Sequence, residues 1–125
     1  MNIPSDLKYT KDHEWVKVEA DQATIGITDY AQDQLGGLVY VSLPAVGESF
    51  EASEVFGEVE SVKSVSELLA PLSGEVVAVN ADLEGSPETV NSDPYGEGWI
   101  IRLSLEDAAQ IADLLDADAY SAQLA

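Results

Sequence analysis

A chain of 125 residues with 24 acids, five bases, a formal charge of −19 and no cysteine has several functions closed to it. Disulfides, thiolate metal sites and cysteine nucleophiles are absent by composition, and a field of that sign repels phosphate backbones and anionic lipid, so neither nucleic acid nor a membrane surface is an expected partner. The length suits a single domain over residues 1–125 with a core of its own, and the charge suits a monomer whose acidic face meets basic partners or high salt.

The opening "MNIPSDLKYTKDHEW" has no basic start followed by an apolar run, and no stretch approaches the roughly 20 apolar residues of a membrane helix. The expectation is a soluble protein, cytoplasmic or, in a processed eukaryotic form, of the mitochondrial matrix. "HEWVKVEADQATIGIT" alternates on both sides of a polar turn and predicts a β-hairpin, with Trp15 and Lys17 on one face and Val16 and Val18 on the other. "TDYAQDQLGG" predicts a short helix near residues 29–35. Thr28 or Asp29 caps it, Gln32 completes a capping box with Asp29, and Gly36 gives the exit.

"LVYVSLPAVGESF" predicts a strand with Val39, Val41 and Leu43 on one face, turned by Pro44 and Gly47. Two β arms follow. Phe56, Glu58 and Glu60 alternate with Val55, Gly57 and Val59 on the way in. On the way out, Leu68 to Leu72 lead to a turn at Ser73-Gly74, with Val76 to Val79 beyond. The Gly- and Pro-rich "EGSPETVNSDPYGEG" reads as loop, "WIIRL" as a strand facing Trp99, Ile101 and Leu103 one way, and "SLEDAAQIADLLDADAY" as an amphipathic helix near residues 105–115 capped by Ser104. The sum is mainly β: a small sandwich or barrel with helices at its margins.

Catalytic constellations are missing. His13 is the only histidine, so a histidine-rich metal site is excluded and a Ser-His-Asp triad has no second candidate base. No Gly-x-Ser-x-Gly elbow or phosphate loop occurs. With 24 acids, close carboxylate pairs arise by chance.

Lys63 stands apart. It is the one Lys or Arg between Val18 and Ile101, a span holding sixteen of the acids. It falls where the two β arms reverse, flanked by the small or β-branched Ser61, Val62, Ser64 and Val65. An amine on a flexible four-carbon stem, held clear of the body by a stiff bend, suits covalent attachment of a swinging acyl tether.

Four blocks resemble the H protein of the glycine cleavage system: Tyr9 to Val16, Ile25 to Gly47, Gly57 to Asn80, and Val90 to Leu103. The resemblance implies a lipoyl-domain-like barrel-sandwich hybrid of two small antiparallel sheets. The lipoyl hairpin core would occupy about residues 38–104, with the N-terminal hairpin and C-terminal helix as additions. It implies lipoate bound covalently as N6-lipoyllysine at Lys63, with Glu60, Ser61 and Val62 leading up to it and Pro71, Ser73 and Gly74 in the turn beyond. It implies a non-catalytic carrier that takes the aminomethyl group from the pyridoxal-phosphate-dependent glycine decarboxylase (P protein). The carrier presents that group to the tetrahydrofolate-dependent aminomethyltransferase (T protein) and is reoxidised by dihydrolipoamide dehydrogenase (L protein). A lipoate ligase or a lipoyl or octanoyl transferase would load it. Glu14 is the candidate contact for the cationic aminomethyl amine. Val65, Glu67 and Gly37 depart from the family pattern.

Other readings are a biotinyl carrier, disfavoured because Val62 and Ser64 flank the lysine where methionines are usual, and a 2-oxo acid dehydrogenase lipoyl domain, which lacks the outer elements. An H-like lipoate carrier for lipoyl relay or sulfur oxidation keeps the same hairpin. An enzyme built on His13 and Glu14, or an acidic interaction module, completes the set.

Overall fold

A computed structural model describes residues 2–124. Its strands are β1 (Lys8–Tyr9), β2 (Glu14–Glu19), β3 (Gln22–Ile27), β4 (Leu38–Ser42), β5 (Ser49–Phe50), β6 (Val55–Ser61), β7 (Val65–Leu69), β8 (Gly74–Val79) and β9 (Ile101–Leu105). They make two sheets, β1-β2-β3-β9-β8-β5 and β4-β6-β7, with every pairing antiparallel. The mainly β fold of two antiparallel sheets is thus as expected.

The inner faces of the sheets close on one core. Val16, Ile25, Ile101, Leu103 and Val76 of the larger sheet meet Val41, Phe56, Val59 and Leu68 of the smaller. Each such side chain contributes roughly 1.5–3 kcal/mol when fully removed from water. A second cluster on the back of the larger sheet holds Leu7, Tyr9, Trp15 and Tyr120, with Tyr95 and Trp99 against it. Gly26 makes room for it, since a Cβ there would lie 2.6 Å from the Trp15 indole nitrogen. Trp15 and Val16 are therefore both buried, on opposite faces of one strand.

In the smaller sheet, bulges overrule strict alternation at two places. Register slips between Leu38 and Tyr40, so Leu38 and Val41 face the core while Val39 is 54% exposed, contrary to its expected place beside Val41. A second slip between Val55 and Gly57 puts Phe56 and Val59 inward, although they have opposite parity. A bulge adds one residue to one strand, which flips every side chain beyond it.

The helix α1 (Asp29–Leu35) forms where expected. Thr28 is the cap, its hydroxyl accepting from the Ala31 amide, while Gln32 bonds the Asp29 carboxylate rather than its backbone. The predicted loop after β8 contains two single turns of helix, α2 (Asp82–Gly85) and α3 (Thr89–Ser92), which bury Leu83 and Val90.

The C-terminal helix lies later than residues 105–115. Ser104 is a strand residue, paired with Gln22 and Glu75, and cannot cap. A 3-10 helix (Ala108–Asp113) follows, capped by the Asp107 carboxylate. Leu115 then turns extended and exchanges two backbone hydrogen bonds with Tyr9, at 2.7 and 2.8 Å, which interrupts the helical run. Only after that bridge does α4 (Ala117–Leu124) begin, with the Asp116 carboxylate accepting from the Ala119 amide.

Gly74 begins β8 opposite both Phe50 and Leu105, and a Cβ there would run into the Ser104 carbonyl oxygen. Gly74→Ala should lower unfolding free energy by roughly 1–3 kcal/mol, the usual cost of forcing a methyl into filled space. Urea denaturation of the two proteins measures the difference.

Candidate functional site

Ser61 builds the turn that carries Lys63. Its side chain is buried at the end of β6, and its backbone amide donates 2.8 Å to the Ser64 carbonyl to close the hairpin. The same hydroxyl oxygen accepts from the amides of Lys63 (3.3 Å) and Ser64 (3.1 Å). Such a serine turn satisfies backbone donors that the ladder has dropped. Val62, 89% exposed, and the exposed Lys63 stand at the tip, and Glu60 sits one step inside, opposite Tyr40 and Val65.

The Lys63 side chain leans toward the end of α1. Its Cε lies 3.4 Å from where a Gly36 Cβ would be, and Gly36 holds a positive φ of 81°. Any larger residue there would be strained and would crowd the lysine stem. Asn91 of α3 fixes this saddle. Its Nδ2 donates to the Gly36 carbonyl (2.9 Å) and to Gln32 Oε1 (3.0 Å), and its Oδ1 accepts from the Leu38 amide (2.9 Å). Asn91 lies in a Gly- and Pro-rich stretch that gives it no local signal in the sequence.

A groove of about 150 Å³ lies between α1 and the smaller sheet, and its Leu35 is the residue before Gly36. Ile27, Ala31, Leu35, Val59 and Leu68 give it an apolar floor, and Asp12, His13 and Glu67 supply its charged and polar rim. An apolar trough with carboxylates among its lining residues fits a flexible hydrocarbon tether with a cationic tip. Glu67, noted only as a departure from pattern, thus joins Asp12 on the rim.

Glu14 lies elsewhere. It is 2% exposed and lines a separate cavity of about 370 Å³ between the Tyr9–Asp12 segment, Leu69 to Pro71 and Leu114–Leu115. Its Oε1 accepts from the Thr10 hydroxyl (3.1 Å) and its Oε2 from the Leu69 amide (2.9 Å), tying β2 to β7 across the two sheets. Burial pushes this carboxyl up to about 7, against the hydrogen bonds from Leu69 and Thr10 that favour its ionised form. His13 beside it occupies a turn at φ 70°. Among the described residues no group of three His, Cys, Asp or Glu is placed to hold a metal, and no helix is long and apolar enough to cross a membrane.

Residues 7–125 match the family model described as glycine cleavage H-protein. The chain belongs to the glycine cleavage H-protein family. It is 57% identical over 122 residues to the glycine cleavage system H protein of Bacteroides thetaiotaomicron, covering 98% of this chain and 97% of that one. It is also 57% identical over 121 residues to the H protein of Symbiobacterium thermophilum, covering 97% and 94%. The crystal structure of a glycine cleavage system H protein from Mycobacterium marinum superposes with a TM-score of 0.90 at 43% identity, covering 98% of each chain. This family member is a lipoyl carrier of glycine cleavage, without a catalytic centre of its own.

Glu14 carries a pH signature. A carboxyl raised from 4.5 to about 7 stays protonated in the folded chain while the unfolded chain ionises. Stability therefore falls as pH rises from about 4.5 to about 7 and levels off above, by at most about 3 kcal/mol. Glu14→Gln removes that slope, so the stability of the variant minus that of the parent should rise across this window. Parallel chemical denaturation at several pH values checks it, and a flat difference would contradict the shift.

Proposed function

We propose that Lys63 is the lipoyl attachment residue of this carrier and that the groove along α1 receives the arm. The observation that carries the reading is the exposed amine at the tip of the Ser61-organised hairpin, with its stem against Gly36, the residue that follows Leu35 of the apolar trough. The lipoyl group supplies a dithiolane whose opened form bears the aminomethyl cargo between partner enzymes. The chain's part is to root that tether, to shelter its end and to be recognised.

Each task has residues. Ser61 holds the root, Glu60 and Val62 shape the approach for the ligase or transferase that loads the lysine, and Gly74 keeps β8 close enough to β9 to stiffen the body behind the hairpin. The groove floor excludes water from the cargo, which delays hydrolysis. Asp12 and Glu67 meet the cationic amine at the rim, and Glu14, two residues from Asp12, adds negative field from behind once it ionises. The partners are the P, T and L proteins of glycine cleavage, which perform the decarboxylation, the transfer to tetrahydrofolate and the reoxidation. The absence of cysteine suits this role, because no protein thiol competes for exchange with the opened dithiol.

Incubation with a lipoate ligase, ATP and lipoate should give one adduct by intact mass, lost in Lys63→Arg. Persistence of the adduct in that variant would overturn the assignment. The modified protein should then support glycine–bicarbonate exchange by the partner decarboxylase, while Lys63→Arg should not. Asp12→Asn and Glu67→Gln should leave lipoylation intact and shorten the lifetime of the loaded cargo several-fold, with a smaller effect for Glu14→Gln.

A further inference from the structure

The C-terminal helix reaches the groove through a single side chain. Tyr120 of α4 is fully buried, its ring stacked on Tyr9 with centroids 4.8 Å apart and planes 10° apart. Its hydroxyl lies 2.8 Å from Nδ1 of His13 and 2.7 Å from the hydroxyl of Thr28. Both are tied to the groove: His13 lines it directly, and Thr28 caps the helix whose Ala31 and Leu35 line it.

Proton counting fixes the direction of this chain. Thr28 is fully buried, and its oxygen already accepts from the Ala31 amide at 3.2 Å. Its own proton needs an acceptor, and the Tyr120 oxygen is the side-chain acceptor in reach. Tyr120, whose phenol burial pushes up to about 12, is neutral and has one proton of its own to place. That proton goes to Nδ1 of His13. A bare Nδ1 leaves the neutral imidazole with its proton on Nε2, an atom that has no hydrogen-bond partner among the described residues and is not sealed from solvent. Burial, which pushes the His13 ring below its usual range, agrees with a neutral imidazole.

We propose that Tyr120 is a positioning residue of the carrier site: it takes the Thr28 proton, gives its own to Nδ1 of His13, and so holds His13 as the Nε2–H tautomer, a hydrogen-bond donor offered to the arm in the groove. The consequence is a division of labour along the trough. An imidazole N–H binds acceptors on the tether, its amide oxygen or a sulfur, and repels an ammonium, which is left to Asp12 and Glu67. The proposal rests on the groove being the seat of the arm, and it makes the C-terminal helix a working part of the site.

The chain has one histidine, so a long-range ¹⁵N–¹H spectrum contains a single imidazole. In the full lipoylated protein at mildly alkaline pH, Nε2 should be protonated and Nδ1 bare. The reverse would overturn the proposal without any variant. Tyr120→Phe keeps the stacked ring but removes the relay, so the imidazole should move to a mixture of tautomers. The lifetime of the loaded cargo should fall about fivefold, the effect of one net hydrogen bond. Thr28→Val, which leaves the aromatic cluster intact, should do the same if Tyr120→Phe folds poorly. An unchanged tautomer in both variants would overturn the relay. Loading the arm should also shift the amides of Ile27, Ala31 and Leu68. If those shifts are absent, the groove reading fails and the proposal with it. If they appear while both variants keep the parent lifetime, the groove reading stands and the proposal alone fails.

Discussion

A tether on Lys63, as proposed, can swing only if its root does not. The backbone at Lys63 is held by one buried hydroxyl, that of Ser61, which satisfies the amides of Lys63 and Ser64 where the β6–β7 ladder ends. The lysine side chain beyond it is exposed and makes no ion pair among the described residues. Order in the main chain and freedom in the side chain meet at this one position. The rest of the body serves that contrast, through bulges that keep the small sheet closed on the core and through Gly74, which lets β8 approach β9.

The short helix α1 is the second fixed part. None of its side chains is fully buried, so the packing of Ala31 and Leu35 against the core is supplemented by ties at both ends. At its start, Thr28 is tied to Tyr120 of the last helix. At its end, Asn91 holds the Gly36 carbonyl and the Leu38 amide. A helix clamped this way makes a firm wall for a groove whose floor is only a few apolar side chains. Every buried side-chain polar atom among the described residues finds a partner, as a rigid support requires.

Local patterning carried much of the fold. The hairpin over Glu14 to Ile27, the helix at Asp29–Leu35 and the reversal at Lys63 follow from alternation, capping residues and turn chemistry, all of which act over a few residues. Where reading failed, a distant strand had intervened. Ser104 looks like a cap but is claimed by Gln22 and Glu75, and the apolar spacing through Leu115 looks helical but is broken by pairing with Tyr9. Val39 looks inward but sits on a bulge. In the candidate site, Lys63 was legible because positive charge was so scarce around it. Asp12, Glu67 and Asn91 were not, because one acid among 24, or one amide in a polar loop, has no local mark.

The sequence by itself determined the candidate amine, the absence of cysteine chemistry and of a histidine-rich metal site, and, through four ordered blocks, the carrier family. Only the tertiary structure decided which carboxylates face the groove and which one is sealed between the sheets. Glu14 and Asp12 are two residues apart, yet one is buried with its pKa near 7 and the other lies exposed on the rim. Solvation and hydrogen bonding set a carboxylate's role, and for Glu14 both come from parts of the chain far away in sequence, the Leu69 amide of β7 among them.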